Sequence, residues 1–144
     1  LMQTLSIATA ATRAELERAW EVVRELRTQL TLEAFVEQAQ RQQEREGYRL
    51  VLLSDGGLAR SAAGYRYLET LAWGRILYVD DLVTRAVDHG AGYGSALLDW
   101  LVGEARAVGC AQLHRDSGVQ RFGAHRFYLH KGLDITSHHF AKVL

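Results

Sequence analysis

Three glycines lie at alternate positions between an apolar segment and an amphipathic one: Gly90, Gly92 and Gly94. Residues 75–83 are too short and too apolar for a surface helix, which favours a strand that is covered on both faces. Residues 97–108 repeat apolar side chains at helical spacing. A glycine turn between strand and helix directs backbone N–H groups at one point, beside the positive end of the helix dipole. The sequence therefore predicts an anion site, and a phosphate-bearing cofactor fits it.

Known phosphate loops differ in the spacing of their glycines, and two of them fit this chain poorly. A Walker A loop requires a lysine after its second glycine, and none follows here. A dinucleotide fingerprint requires a third glycine at a fixed offset, but that position holds Ser95 or Leu97. Asp116 lies roughly where a ribose-binding acid would fall, yet only 28 residues follow it. We expect these to be too few for the rest of a doubly wound domain.

Two motifs in order resemble the GNAT superfamily of acyl-CoA-dependent N-acyltransferases. His89–Gly94 resembles the family's Arg/Gln-x-x-Gly-x-Gly/Ala pyrophosphate loop, with histidine in the first position, and residues 80–84 resemble its fourth strand. Residues 124–133 resemble its downstream Ala-x-x-Phe-Tyr-x-x-x-Gly-Phe motif. The resemblance covers the last two thirds of the chain well and the first third in outline.

The periodicity of the chain predicts a mixed α/β fold, in the order β-α-α-β-β-β-α-β-α-β. The resemblance implies the same order and a central sheet that splays beside its fourth strand. The predicted elements are a strand over 3–8, a helix from Thr12 through Leu26, a helix over 31–46, strands over 48–53, 58–68 and 75–83, the helix that follows the glycines and ends at Gly109, a strand over 111–116, a helix over 124–131 and a strand over 134–142.

Composition narrows the class of protein. At 144 residues we expect one domain, 1–144, with enough apolar side chains for one core. Seventeen basic residues balance 17 acidic ones, which argues against nucleic acid as a partner. The lone Cys110 excludes an internal disulfide, and with no leader or long apolar run we expect a cytoplasmic protein that does not enter membranes. The histidine spacings match no known metal site.

The resemblance implies acetyl-CoA as co-substrate, with no metal. Its carbonyl and pantetheine arm would bond to main-chain groups of the fourth strand, at Leu82, Val83 and Thr84. Its pyrophosphate would meet the N–H groups of the glycine loop. The residues expected in that loop are His89, Gly90, Ala91, Gly92, Tyr93, Gly94 and Ser95. Because histidine is only partly charged near neutral pH, His89 could make cofactor affinity pH-dependent.

Two adjacent acids, Asp80 and Asp81, are the candidates for the general base that takes the proton of the amine. On a regular strand they point to opposite faces, so only one would line a given pocket, although a β-bulge would break that rule. The resemblance places the acid of the family at one of these sites, and Asp80 is our first choice. The alternative is a structural carboxylate, or one that holds a cationic substrate.

Tyr128 matches the tyrosine that protonates the departing thiolate in many members of the resembled family. A neutral phenol is a suitable acid near pH 7, whereas an isolated tyrosine on an amphipathic helix would more often be core.

Two further departures from the family pattern lie nearby. Arg115, in a predicted buried strand, must either pair with an acid, such as Asp80, Asp81 or Asp116, or reach solvent. Arg121 stands where many relatives have an asparagine that binds the pantetheine region.

We therefore predict an N-acetyltransferase that transfers acetyl directly from acetyl-CoA to a primary amine of a small molecule or peptide. The tail, residues 124–144, is similar to that of aminoalkylphosphonate N-acetyltransferases. Two alternatives stay open, a catalytically inactive acyl-CoA-binding module and a nucleotide-binding domain of another fold. The resemblance also implies that a homodimer is common among relatives. The sequence does not identify the amine.

Overall fold

The computed structural model describes residues 4–144, as ten elements. They fall into two compact units, Leu1–His114 and Arg115–Leu144, each described by itself below. In chain order the elements are β1 (Leu5–Thr9), α1 (Arg13–Val23), α2 (Leu32–Glu46), β2 (Arg49–Asp55), β3 (Leu58–Thr70), β4 (Gly74–Thr84), a 3₁₀ turn (Ala86–Asp88), α3 (Tyr93–Ala107), β5 (Gln112–Arg115) and α4 (Phe122–His130).

The sheet confirms the predicted mixed α/β class. Its five strands stand in the order β1-β2-β3-β4-β5, and the first four pair antiparallel as consecutive neighbours. The β2–β3 hairpin closes through Gly56 and Gly57, both with positive φ, as the Ser-Asp-Gly-Gly sequence predicts. The first predicted strand included Gln3, which lies outside the described residues.

The helices begin where their capping residues predict. Thr12 and Glu15 form a reciprocal capping box at the start of α1, and the Thr31 side chain accepts from the third residue of α2. Gly109, with φ of 79°, follows the end of α3, and the Cys110 N–H bonds back to the Ala105 carbonyl. These local hydrogen bonds satisfy N–H and carbonyl groups that a helix end leaves free.

Both faces of the sheet are buried at β2. Leu50 and Leu52 of β2 belong to an apolar cluster with α1 and α2, while the alternating Val51 and Leu53 are also buried. The other members of that cluster come mostly from the two helices and β3: Ala10, Leu16, Ala19, Val22, Val23, Phe35, Val36, Ala39, Tyr48, Ala59 and Ala62. Helix α3 packs against β3 and β4. The two layers of helix hold β4 in the interior of the first unit.

The predicted final strand over residues 134–142 is wrong. Residues 133–144 carry no regular secondary structure, and the side chains of Ile135, Phe140 and Val143 are exposed. Alternation of apolar residues predicts a strand only if a neighbouring strand supplies hydrogen bonds and a buried face, and this segment has neither within the described residues.

Among the helices that the structure describes, none combines the length and apolar character needed to cross a bilayer.

Candidate active site

The glycine loop connects the end of β4 to the first turn of α3. Gly90 and Gly92 have φ of 86° and 88°, a region that side chains with a Cβ rarely adopt. A Cβ built on either glycine would meet no atom within 4 Å, so open space lies over both. Gly92 is the N-cap of α3 and provides no side-chain cap. The first N–H groups of the helix therefore face a space that an anion could fill.

His89 bonds to the loop itself. Its Nε2 lies 2.9 Å from the carbonyl oxygen of Thr84, the last residue of β4. Because a carbonyl can only accept, Nε2 carries the proton in this contact. The ring thus links the loop to the end of the strand through Nε2.

Side-chain hydrogen bonds hold the glycine loop against the rest of the first unit. Asp88 accepts from Arg60 Nη1 at 2.9 Å and from Arg85 Nε at 2.8 Å. The hydrogen bond from Arg85 is the largest of the effects that lower the pKa of Asp88. Tyr93 donates to Asp55 Oδ2 at 2.6 Å in the β2–β3 hairpin, and the Arg60 guanidinium lies over its ring. The start of α3 is therefore held to β3 and to the hairpin.

The end of β4 pairs with β3 along one edge. Leu82, Val83 and Thr84 pair with Ala63, Ala62 and Ser61 in the antiparallel register. The Ser61 hydroxyl donates to the Val83 carbonyl at 2.9 Å. On the other side of β4, the four residues of β5 can pair with only part of its 11.

Asp80 and Asp81 do not point to opposite faces, and that expectation is wrong. Gly64 of β3 pairs with Asp81 and the next residue, Tyr65, pairs with Val79, so Asp80 is the extra residue of a β-bulge. A bulge breaks the period of two along a strand. Both residues line one cavity.

Each carboxylate is paired with an arginine. Arg66 donates to both oxygens of Asp80, at 2.9 and 2.8 Å. Arg27 donates from Nε to Asp81 Oδ1 at 2.8 Å, and its Nη2 donates to the main-chain oxygen of Asp80 at 3.0 Å. The structure thus shows two ion pairs at the bulge.

Tyr48 completes the environment of Asp81. Its hydroxyl donates to Asp81 Oδ2 at 2.7 Å. Burial, and then the negative charge of Asp81, raise the pKa of Tyr48 well above its usual value, so the phenol stays a donor at neutral pH. A Cβ on Gly64 would overlap the ring of Tyr48. Glycine is required at position 64 because the tyrosine lies directly on the backbone of β3.

The cavity beside the two acids measures about 280 Å³ and belongs to the first unit. Apolar and amide side chains from α1, α2 and the segment between them form the rest of its wall. Its lining residues are Val23, Arg27, Gln29, Leu30, Phe35, Gln38, Ala39, Gln42, Tyr48, Asp80 and Asp81. In size it lies near the lower end of the range of small-molecule sites.

Tyr128 lies on α4, in the second unit. Its side chain is buried, with 8% exposed, and its hydroxyl oxygen lies 3.1 Å from Arg115 Nε. Since a guanidinium can only donate, the tyrosine oxygen accepts this bond and its own proton is left for another acceptor. Arg115 thus bonds to a phenol of its own unit.

Sequence reasoning missed three of the side chains at the bulge. Arg27, Tyr48 and Arg66 lie far from Asp80 and Asp81 in the chain and match no motif. One signal was available, since an isolated glycine inside a strand often marks a bulge or a close approach. Gly64 is such a glycine, and it pointed to something packed against β3.

Within residues 4–144, no group of three or more histidine, cysteine, aspartate or glutamate side chains is arranged to hold a metal ion.

Comparisons of this chain with known proteins all indicate the same family. The model of the acetyltransferase (GNAT) family matches residues 10–133. An uncharacterized N-acetyltransferase of Bacillus subtilis (strain 168), YhdJ, is 34% identical over 131 residues, which cover 90% of this chain and 92% of that protein. The aminoalkylphosphonate N-acetyltransferase of Salmonella typhimurium is 35% identical over 66 residues, 46% of this chain and 43% of that protein.

A solved structure shows the same fold. The aminoglycoside N-acetyltransferase AAC(6′)-Iy, in complex with CoA, superposes with a TM-score of 0.85 at 10% identity, covering all of this chain and 97% of that one. With the glycine loop and the bulged strand described above, these findings define the class. The chain belongs to the GNAT family and is an acetyltransferase.

Proposed function

We propose that this protein transfers an acetyl group from acetyl-CoA to a primary amine of a small molecule or peptide. The observation that carries the proposal is one strand, β4, with the open glycine loop at its end and the acid-lined cavity at its bulge. Membership of the GNAT family supports the reaction type. A cytoplasmic location and one acyltransferase domain over 1–144 belong to the same proposal.

The residues of the loop fit the diphosphate of coenzyme A. Open space over Gly90 and Gly92 and the uncapped start of α3 leave room for it without side-chain obstruction. Main-chain groups of Leu82, Val83 and Thr84 would bond to the carbonyl and the pantetheine arm. The loop residues His89, Ala91, Tyr93, Gly94 and Ser95 complete this proposed contact surface. When bound, acetyl-CoA supplies a thioester carbonyl that an uncharged amine can attack.

We propose Asp81 as the base that receives the proton of the amine. Both oxygens of Asp80, and Oδ1 of Asp81, accept from guanidinium groups. Asp81 Oδ2 accepts instead from the neutral Tyr48 phenol. Because no cation bonds to it, Oδ2 is the oxygen whose negative charge is least compensated, and it keeps a lone pair for the amine. This reverses the order expected from the sequence, in which Asp80 came first.

We propose that Tyr128 holds the proton that the departing thiolate needs. The motif that contains it and the Arg115 bond to its oxygen support this role. General acids of this kind contribute about 10²- to 10⁴-fold to a rate. Tyr128→Phe should lower kcat by that order and leave the dissociation constant of acetyl-CoA unchanged, as measured by thiol release and by titration. Unchanged turnover in the variant would remove Tyr128 from the mechanism.

One observation favours a second candidate, an inactive acyl-CoA-binding module. Every carboxylate oxygen at the bulge already accepts a hydrogen bond from a protein side chain. Such a module would bind acetyl-CoA and release no thiol with any amine. Asp81→Asn and Asp80→Asn separate the two ideas, because an enzyme that uses Asp81 should lose far more activity in the first variant than in the second.

The decisive experiment on cofactor class compares thermal unfolding in the presence of acetyl-CoA, CoA, NAD and ATP. A ligand that binds the native state raises the unfolding temperature, and it does so more strongly the tighter it binds. Stabilisation by acetyl-CoA and CoA, followed by thiol release with an amine panel, is the expected result. Stabilisation by NAD alone would overturn the proposal.

A further inference from the structure

Each of the two carboxylates at the cavity is paired with an arginine. Asp81 pairs with Arg27 and Asp80 pairs with Arg66, and all four side chains are more than half buried. The two aspartates therefore offer little surplus negative charge. A substrate that carries only positive charge, such as a diamine, would meet a guanidinium beside each carboxylate, and the site gives it no excess attraction.

One end of the Arg27 guanidinium is unused. Nε and Nη2 bond to Asp81 and to the main chain of Asp80, while Nη1 makes no hydrogen bond within residues 4–144. About a third of the side chain, 36%, remains exposed, and Arg27 lines the cavity. Two N–H donors of a cation are thus available to a ligand in the cavity. Guanidinium edges of this kind are suited to carboxylate and phosphonate oxygens.

Two glutamines add neutral donors on the α2 side of the cavity. Gln38 Nε2 donates to Gln42 Oε1 at 3.0 Å, which fixes the pair and leaves the Gln42 amide nitrogen to donate elsewhere. Both residues line the same cavity as Arg27. Amide donors next to a guanidinium suit oxyanions, while the apolar walls at Leu30 and Phe35 suit a short carbon chain.

We propose that the acceptor is a small amine that also carries an oxyanion, a carboxylate or a phosphonate, one or two carbons from its nitrogen. The oxyanion binds Arg27 Nη1 and the amine lies at Asp81 Oδ2. Because Arg27 and Asp81 are in direct contact, the oxyanion and the amine of one acceptor must lie close together in it. The cavity of about 280 Å³ fits a molecule of this size. This inference rests on the proposed N-acetyltransferase function.

The test is a panel of amines of matched length: 2-aminoethylphosphonate, β-alanine, 3-aminopropanol and 1,3-diaminopropane. Thiol release gives kcat/KM for each, and calorimetry on the CoA-saturated protein gives binding without turnover. We expect one or both oxyanion-bearing amines to exceed the alcohol at least about ten-fold, with the diamine lowest. The phosphonate and carboxylate arms identify which oxyanion is preferred.

Arg27→Gln should lower kcat/KM for the preferred oxyanion-bearing amine by about ten- to a hundred-fold relative to the alcohol, while Arg24→Gln should leave the ratio unchanged. Arg24 is a matched control because it lies just past the end of α1 and outside this cavity. The ratio of two substrates on one variant cancels any loss of folded protein. Arg27→Lys, which keeps the charge, should retain part of the preference.

Each outcome decides the question. Equal or better use of the alcohol or the diamine overturns the inference and leaves the proposed function intact. A preference that survives in Arg27→Gln also overturns it, because the oxyanion then binds elsewhere. Oxyanion-bearing amines that bind the CoA-saturated protein, lose that binding in Arg27→Gln and release no thiol support this acceptor site and overturn the transferase function. Failure of every amine to bind overturns the inference.

Discussion

Two regions beside β4, the glycine loop at its end and the cavity at its bulge, are built in different ways. The glycine loop is one run of the chain, residues 84–96, and it offers main-chain N–H groups. The cavity at the bulge collects side chains from residue 23 to residue 81, and it offers charges held in ion pairs. A backbone site tolerates changes of side chain but not of φ, whereas a side-chain site depends on long-range packing. Substitutions should therefore separate cofactor binding from acceptor binding.

Gly92→Val should have the largest effect on the cofactor side. A β-branched residue at φ of 88° is strained by roughly 1–3 kcal/mol and would move the first turn of α3. We expect the dissociation constant of acetyl-CoA to rise at least about ten-fold, as measured by calorimetry.

Gly109→Val is the matched control for this substitution. Gly109 has φ of 79°, a Cβ added to it would meet no atom within 4 Å, and it lies at the other end of the same helix. The control should lose comparable stability and keep its affinity. Equal loss of affinity in both variants would show that the loop acts only through stability.

Gly64→Ala should affect the acceptor side. The new methyl group would overlap the Tyr48 ring and break its bond to Asp81, at a cost of about 1–3 kcal/mol of stability. We expect kcat/KM for the amine to fall about ten-fold or more, while acetyl-CoA affinity is unchanged.

The control here is Gly103→Ala, in the interior of α3, where the methyl group meets nothing within 4 Å. Alanine favours a helix over glycine by about 0.5–1 kcal/mol, so this variant should be more stable than the wild type. A Gly64→Ala protein with normal amine kinetics would refute the role of Tyr48 in positioning Asp81.

Asp88→Asn tests the anchoring of the loop with a smaller change. The variant keeps the shape of the side chain and removes the charge that binds Arg60 and Arg85. We expect acetyl-CoA to bind about three- to ten-fold more weakly. The substitution weakens an ion pair next to the glycine loop but leaves the backbone of the loop itself unchanged.

The pH dependence of stability checks the same residue. Because the pKa of Asp88 is lowered in the folded protein, its contribution to stability is present above the ordinary aspartate value and is lost as pH falls through the lowered pKa. The stability difference between wild type and Asp88→Asn should therefore be constant from about pH 5 to 9 and shrink only in strong acid. Glu37→Gln, an exposed charge on α2, should show neither effect.

The stability of Tyr48→Phe should change least among these variants at neutral pH, and it should differ distinctly from the wild type in alkali. The raised pKa of Tyr48 means that its phenol stays protonated in the folded protein above about pH 10, while the unfolded chain ionises. The contribution of the Tyr48 phenol to stability is fully present below about pH 10, and it is lost as pH rises toward the raised pKa. In denaturant unfolding, the free energy of unfolding should fall less steeply with rising pH in the variant than in the wild type. Identical slopes in the two proteins would contradict the burial of the hydroxyl. Tyr65, with a pKa raised to about 12, adds a similar loss in both proteins.

Much of the first unit was predictable from local sequence. Thr12 and Thr31 start helices through bonds within their own first turn, and Gly56-Gly57 closes a hairpin because both can adopt positive φ. The glycine loop could be predicted for the same reason. The final strand over 134–142 failed because strand formation requires a partner that composition does not reveal.

The sequence by itself determined the family, the mixed α/β class and the position of the cofactor loop, because each depends on residues that are neighbours in the chain. Only the tertiary structure decided which side chains surround Asp80 and Asp81. One extra residue in β4 turned both acids to the same cavity, and packing brought Arg27, Tyr48 and Arg66 to them from distant elements. Hydrogen bonds across such separations depend on how strands pair and helices pack, and no local spacing encodes them.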